Sequence, residues 1–108
     1  MTTVSATKEN STKVNALKKV SNMKWVGNTT HDSIEKCFAA INLESNNSGW
    51  YKPVFVKING LAGFYMINED GSIFYEARVI KEDEKKFKIE YLTNTGFNEF
   101  EKYYNESL

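Results

Sequence analysis

The chain has 108 residues and a mass of 12.4 kDa, which is enough for one domain with a hydrophobic core and too little for two. Its 14 basic residues balance 14 acidic ones, so no general attraction to DNA or to anionic lipid is expected. Cys37 is the only cysteine, which excludes an internal disulfide and favours a cytoplasmic location. No apolar run approaches the roughly 18–20 residues of a membrane span, so we expect no membrane partner.

The first segment, residues 1–24, is rich in Ser, Thr, Asn and Lys. Five lysines against one glutamate give it a net charge of +4 (5 − 1). We predict a basic arm, flexible or partly helical, that contacts an acidic surface of a partner through Lys18 and Lys19. A single domain is then expected over residues 25–108. The helical part of the arm is indicated by apolar residues at a spacing of three: Val14, Leu17 and Val20.

A better supported helix follows Asp32. The spacing of Asp32 and Glu35 is typical of a capping box, in which the Asp side chain accepts a hydrogen bond from the Glu35 amide. The polar run at residues 44–49 is expected to end the helix as a loop. Cys37 is predicted to be an inert core thiol, and His31 a solvated or capping side chain. The apolar face of this helix consists of Ile34, Cys37, Phe38 and Ile41.

From Trp50 onwards the apolar period changes to two, which is typical of strands. Asn59 and Gly60 form a strong hairpin signal between the first two strands, and Pro53 places the start of the first strand at a sheet edge. The predicted strands cover residues 54–58, 61–67, 72–80 and 86–92, and residues 97–104 form a short last strand or a helical turn.

Charge selects the pairing of the third and fourth of these strands. A three-residue loop at residues 83–85 sets Arg78 opposite Glu90 and Val79 opposite Ile89, whereas a shift by two residues would oppose like charges. We therefore predict an α+β fold: a small antiparallel sheet or SH3-like barrel of four to five strands, capped by one helix and preceded by the basic arm.

The sequence offers little for catalysis. His31 is the only histidine, no nucleophile-elbow sequence accompanies it, and one His with one Cys cannot complete a metal site. Residues 60–63 lack the Lys-Ser/Thr ending of a phosphate-binding loop. A glycosidase-type pair of carboxylates depends on a separation in space, which the sequence leaves open. We predict a protein that is not an enzyme and that uses no cofactor or metal.

Residues 60–73, GLAGFYMINEDGSI, follow the pattern G-x-x-G-x-Y-x-hydrophobic-x-x-x-G-x-hydrophobic. This segment resembles the modular motif that accompanies HNH homing endonucleases and helps them to hold DNA. The resemblance implies a hairpin whose turn is shaped by Gly60 and Gly63 and closed by Gly71, with Tyr65 and Ile67 packed beneath it. Ser72 stands where that family usually has a basic residue.

The overlapping segment DGSIFYEARVI (residues 70–80), followed by FKIEY (residues 87–91), resembles the core of Tudor and chromo-barrel domains over about residues 70–100. That resemblance implies an SH3-like barrel whose aromatic side chains surround a methylated Lys or Arg through cation–π attraction. The candidate walls of this cage are Phe64, Tyr75, Tyr91 and Phe97, with Asp70 or Glu99 as the anionic partner.

Three functions follow from these observations. The leading hypothesis is a non-enzymatic protein-binding module, an accessory or inhibitory protein of a virus or mobile element that acts through an aromatic surface in the host cytoplasm. The alternatives are a nucleic-acid-binding accessory protein, which would use the Lys-rich arm, and an accessory subunit of a virion. The predicted partner-binding residues are Trp50, Tyr51, Phe64, Tyr65, Tyr75, Tyr91, Phe97, Lys18 and Lys19.

Overall fold

The computed structural model describes residues 8–20, 22–48, 53–67 and 73–107. Within these ranges the chain forms five strands and three α-helices. The strands are β1 (Trp25–His31), β2 (Val54–Lys57), β3 (Phe64–Ile67), β4 (Ile73–Asp83) and β5 (Lys86–Leu92). The helices are α1 (Lys8–Lys19), α2 (Ile34–Ser48) and α3 (Asn94–Glu106), and a 3-10 turn covers Asn22–Lys24.

The strands form one antiparallel sheet in the order β1-β5-β4-β3-β2. Helices α1 and α3 pack together on one face, and α2 covers the other. The α+β class and the antiparallel sheet are confirmed, and the sheet is open rather than closed into a barrel, with β1 and β2 at its opposite edges. The predicted number of capping helices, one, is too small, since the described residues contain a helical layer on each face.

The pairing that charge predicted between β4 and β5 is confirmed. Arg78 lies opposite Glu90 and Val79 lies opposite Ile89. The Nε atom of Arg78 is 2.8 Å from Oε1 of Glu90, so the two charges that selected the register form an ion pair. Pro53 precedes β2, which is an edge strand as the sequence predicted.

The apolar pattern predicts no strand at residues 25–31, where β1 pairs with β5. The middle of β1 is polar and exposed at Asn28, Thr29 and Thr30, and its pairing is interrupted by an irregularity between Val26 and Thr29. This edge strand is held through its backbone and through Trp25, which is buried at its first position. A strand of this kind shows no apolar alternation, which explains why the pattern missed it.

Helix α2 begins and ends differently from the prediction. The Oγ atom of Ser33, rather than the Asp32 carboxylate, accepts a hydrogen bond from the Lys36 amide at 3.3 Å. Asp32 instead forms an ion pair with the Lys36 side chain at 2.9 Å. The predicted loop at residues 44–48 is the last part of the helix, because Ser45 is fully buried there and the Tyr91 hydroxyl donates to Glu44 at 2.7 Å. Tertiary contacts thus prevail over the polar composition of this segment.

The connection between β2 and β3 is longer than the predicted hairpin, because β3 begins at Phe64 instead of at residue 61. Gly63 has a φ of +90°, and a side chain there would place its Cβ 2.4 Å from the Val79 carbonyl oxygen. A glycine is therefore required at this position for the loop to pass over β4. Of the residues before it, Gly60 and Ala62 are exposed, and Leu61 packs partly buried against the cluster beneath α1.

Residues 97–104, for which a strand and a helical turn were both open, lie within α3. Thr93 caps this helix: its Oγ1 accepts a hydrogen bond from the Gly96 amide at 3.0 Å. Phe100 is buried and Tyr104 lies partly buried beside it, with stacked rings 6.2 Å apart. The spacing of these two rings suits a helix better than a strand.

The sheet separates two apolar clusters. The α1/α3 face buries one side of α1 against α3 and the sheet, and on this face Lys13 and Lys19 lie over the rings of Tyr104 and Tyr103. The helix predicted within the basic arm is thus docked onto the fold. The cluster on this face contains Ala16, Leu17, Val20, Trp25, Ile58, Tyr65 and Phe100. The cluster on the α2 face contains Cys37, Ile41, Met66, Ala77, Val79 and Ile89.

Candidate cationic pocket

Three of the predicted partner-binding residues line one cavity of about 390 Å³, which we call the cationic pocket. They are Lys18, Lys19 and Tyr65. The pocket lies between the end of α1 and the sheet, and the loop at residues 60–62 forms its third wall. The prediction placed these residues in two separate features, the arm and a hairpin, and the fold brings them together.

The floor of the pocket is a buried polar network. Tyr65 of β3 and Arg78 of β4 are register partners, and the two residues are 2% and 6% exposed. The guanidinium of Arg78 donates to the Tyr65 hydroxyl at 3.2 Å and to Glu90 at 2.8 Å. It also lies over the Trp25 ring, with Cζ 4.3 Å from the ring centroid. Packing, hydrogen bonds and charge therefore hold Arg78 in one position.

Its rim carries two ammonium groups on the last turn of α1. The side chains of Lys18 and Lys19 are exposed, and that of Lys18 lies against Gly60, where an added Cβ would come within 2.7 Å of Lys18 Cε. Lys19 lies over the Tyr103 ring at 5.7 Å. Among the described residues that line the pocket, the charged side chains are Lys18, Lys19 and Arg78, and none is acidic.

This arrangement offers hydrogen-bond donors and positive charge to an anion at the rim of the pocket. Glu90 neutralises Arg78 from behind the floor, and Lys88 approaches the same carboxylate at 3.7 Å. The rim lysines are therefore the groups that a bound anion would meet, as charge-assisted donors. The Tyr65 hydroxyl oxygen accepts from Arg78, so the phenol retains its own proton for donation.

Arg78 is the residue of the candidate site that the sequence patterns did not indicate, since its charge served only to predict the strand pairing. One signal was present in the sequence. Arg78 is the only arginine, and it stands on a strand otherwise rich in apolar residues. A buried arginine requires partners, and its predicted neighbour Glu90 was already one of them.

Most of the other predicted binding residues lie in other places. Phe64 packs on α2, where its ring is 5.7 Å from the Phe38 ring, and it lines a different cavity. Tyr91 and Phe97 line a third cavity of about 200 Å³. Trp50, Tyr51, Asp70 and the Tyr75 side chain lie outside the described residues, and Glu99 forms an ion pair with Lys24 at 3.7 Å.

Two of the rings expected at the surface have structural contacts. Tyr65 is buried, so its ring belongs to the core rather than to an exposed aromatic surface. Tyr91 is half-buried and donates to Glu44 on α2. Burial raises the pKa of the Tyr91 hydroxyl well above its ordinary value, and the Glu44 carboxylate raises it further because it favours the protonated phenol.

Cys37 and His31 were both predicted to have no chemical role. Cys37 is fully buried in the α2 cluster, as predicted, and burial raises the pKa of its thiol. His31 is the last residue of β1 and not part of a helix start, and its Nε2 atom is buried without a hydrogen-bond partner. The Nε2 atom is therefore not solvated and does not cap the helix, although His31 as a whole is partly exposed. Among the described residues, no three His, Cys, Asp or Glu side chains group as metal ligands.

Over the described ranges, no helix combines the length and the apolar character that crossing a membrane demands. Comparison of the chain with protein-family models, with curated proteins and with solved structures finds no match.

Proposed function

We propose that the protein is a non-enzymatic binding module that holds an acidic segment of a partner protein in the cationic pocket. The observation that carries this proposal is that Lys18 and Lys19 lie at the rim of one cavity, above the Arg78 side chain that Glu90 already pairs, without an acidic side chain in the described lining. Because the net charge of the chain is zero, acidic residues elsewhere in the chain offset the positive charge at the pocket. The pocket therefore selects for local negative charge on a partner.

The number of available cations favours a protein partner over nucleic acid. Arg78 is buried and already paired with Glu90, which leaves two exposed lysines at the rim. Binding to nucleic acid rests on phosphate contacts from several Lys and Arg side chains, and bases are most often read with arginine. A short acidic segment needs fewer contacts, because one or two carboxylates can be met by the two ammonium groups.

The most reactive side-chain type in the chain also favours binding over catalysis. Cys37 is buried, and the raised pKa of its thiol keeps it protonated and weakly nucleophilic.

The test uses a fluorescent peptide of alternating Glu and Gly and a matched peptide of alternating Gln and Gly. Anisotropy at low salt should show binding of the Glu peptide alone. Replacement of both rim lysines, Lys18→Gln with Lys19→Gln, should weaken that binding about 5- to 10-fold, since each partly exposed contact contributes up to about 1 kcal/mol.

Lys85→Gln serves as the matched control. Lys85 is exposed in the turn between β4 and β5 and does not line the cationic pocket, so this variant loses one charge, as Lys18→Gln or Lys19→Gln alone does, without the predicted effect. Equal weakening by Lys85→Gln and by the rim variants would contradict the proposal. Displacement of the peptide by duplex DNA at lower concentration than by unlabelled peptide would favour the nucleic-acid alternative instead.

A further inference from the structure

A second cavity, of about 320 Å³, opens on the side of the sheet that α2 covers, and we call it the apolar cavity. It lies where the first turn of α2 meets β2, β3, β4 and β5, and Gly63 borders it at the end of the β2–β3 connection. Most of its lining is apolar. The lining residues are Ile34, Lys57, Ala62, Gly63, Phe64, Val79, Ile80, Lys81 and Phe87.

The aromatic wall of this cavity is rigidly held. Phe64 meets the Phe38 ring edge to face at 5.7 Å, and Phe38 stacks on Phe55 with 4.2 Å between ring centroids. Val79, on the floor, is buried in the α2 cluster. Because these side chains pack on one another, the cavity is formed without a ligand, as is usual for sites that bind small molecules.

The two charged residues of the lining are both lysines. The Lys57 Nζ atom lies 5.5 Å from the centroid of the Phe64 ring, so its charge is held beside the apolar wall. The Lys81 Nζ atom lies 4.0 Å from Oε1 of Glu84, which is a long distance for an ion pair. The Glu84 side chain is 90% exposed, so solvent weakens this pair. No acidic side chain belongs to the described lining.

We infer that the apolar cavity binds a small amphipathic anion: an aromatic or aliphatic body that carries one carboxylate. The body would replace water against Phe64, Val79 and Phe87, and the carboxylate would lie between the ammonium groups of Lys57 and Lys81. A neutral apolar compound would bring no negative charge to the two lysines, and a cationic one would be repelled. The volume lies near the lower limit of ligand pockets, about 300 Å³, so the ligand is small.

This site is distinct from the cationic pocket. The lining of the two shares Ala62 alone, and neither Lys57 nor Lys81 belongs to the cationic pocket. The inference therefore does not depend on the proposed binding of an acidic partner, and either of the two can fail without the other.

The experiment follows amide shifts of the isotope-labelled full chain during titration with 4-phenylbutyrate. Neutral 4-phenyl-1-butanol and cationic 4-phenylbutylamine have nearly the same apolar body and serve as matched ligands. We expect saturable shifts at Gly63 and at residues 79–81 with the carboxylate. The alcohol should bind at least 5-fold more weakly, and the amine should show no saturable shift at these residues.

Protein variants complete the test. Lys57→Gln combined with Lys81→Gln should weaken phenylbutyrate binding about 5- to 10-fold, while Lys85→Gln and the pair Lys18→Gln with Lys19→Gln should leave it unchanged. The replaced lysines are exposed, so circular dichroism should confirm that each variant folds like the parent chain. Equal binding of the carboxylate and the alcohol, shifts confined to other regions, or an unaffected double variant would each overturn the inference.

Discussion

The two faces of the sheet are built on different principles. The α2 face buries an apolar cluster that includes Ile89 and Val79. The α1/α3 face also has an apolar cluster, yet it encloses the charged pair of Arg78 and Glu90 beneath the cationic pocket. A buried ion pair contributes little net stability, because desolvation offsets much of the attraction. The comparison teaches that the α2 face is built for stability, whereas the α1/α3 face also maintains a charge in a fixed place.

The largest predicted effect tests the charged pair on the α1/α3 face. Glu90→Gln removes the carboxylate and leaves the Arg78 guanidinium buried without its counter-ion. We expect the free energy of unfolding to fall by about 3–5 kcal/mol, measured by urea denaturation. Glu84→Gln, at a 90% exposed side chain, is the control and should change it by less than about 0.5 kcal/mol.

A double variant sharpens this result. Arg78→Met with Glu90→Leu replaces the pair by apolar side chains of similar size, so the buried guanidinium is no longer left without its counter-ion, and Lys88, which is partly exposed, loses only its contact with Glu90. The double variant should be more stable than either single variant. A double variant as unstable as Glu90→Gln alone would show that shape, and not charge, determines this part of the core.

On the α2 face we expect the largest loss of stability from truncation of a buried side chain, which leaves an empty space in the core. Ile89 is 3% exposed between α2 and the sheet, and Ile89→Ala should lower the free energy of unfolding by about 2–4 kcal/mol. Val26→Ala is the matched control, because Val26 is 55% exposed on the neighbouring strand. A loss below about 0.5 kcal/mol for Ile89→Ala would mean that the assignment of its face is wrong.

The residues that cap α3 and α2 allow a further comparison of the two faces, with smaller expected losses of stability. Thr93→Ala removes the cap of α3, and we expect a loss of about 1 kcal/mol. Ser33→Ala should cost less, since its hydrogen bond in α2 is longer, at 3.3 Å, and exposed. Thermal unfolding measures both, with Thr95→Ala inside α3 as the control. Equal losses for all three variants would contradict the role of these caps.

The smallest expected effect is a change of stability with pH, caused by the hydrogen bond between Tyr91 of the sheet and Glu44 of α2. The pKa of Tyr91 is raised in the folded chain by burial and by Glu44. Its protonated phenol therefore contributes stability that is complete below the ordinary tyrosine pKa, near 10, and is lost as pH rises above it. Glu44→Gln should lower the Tyr91 pKa, as followed by phenolate absorbance. An unchanged titration would show that Glu44 does not contact the hydroxyl in solution.

Local patterns predicted the parts of the fold that depend on near neighbours in sequence. The alternation of residues in β4 and β5 predicted both strands, and the charges of Arg78 and Glu90 predicted their pairing. The same patterns missed β1, because an edge strand with exposed polar residues is held mainly by backbone hydrogen bonds. They also ended α2 too early, since the burial of Ser45 is decided by what packs on it.

For the candidate site, sequence alone determined which segments contribute to it: a lysine-rich first segment, a glycine-containing connection before β3, and one arginine opposite a glutamate. Only the tertiary structure decided that Lys18 and Lys19 meet Arg78 at a single pocket, and that Tyr65 is a buried part of its floor. The physical reason is that periodicity and charge spacing report on contacts within an element or between adjacent strands. The docking of α1 depends on packing between residues far apart in the chain, which no local pattern encodes.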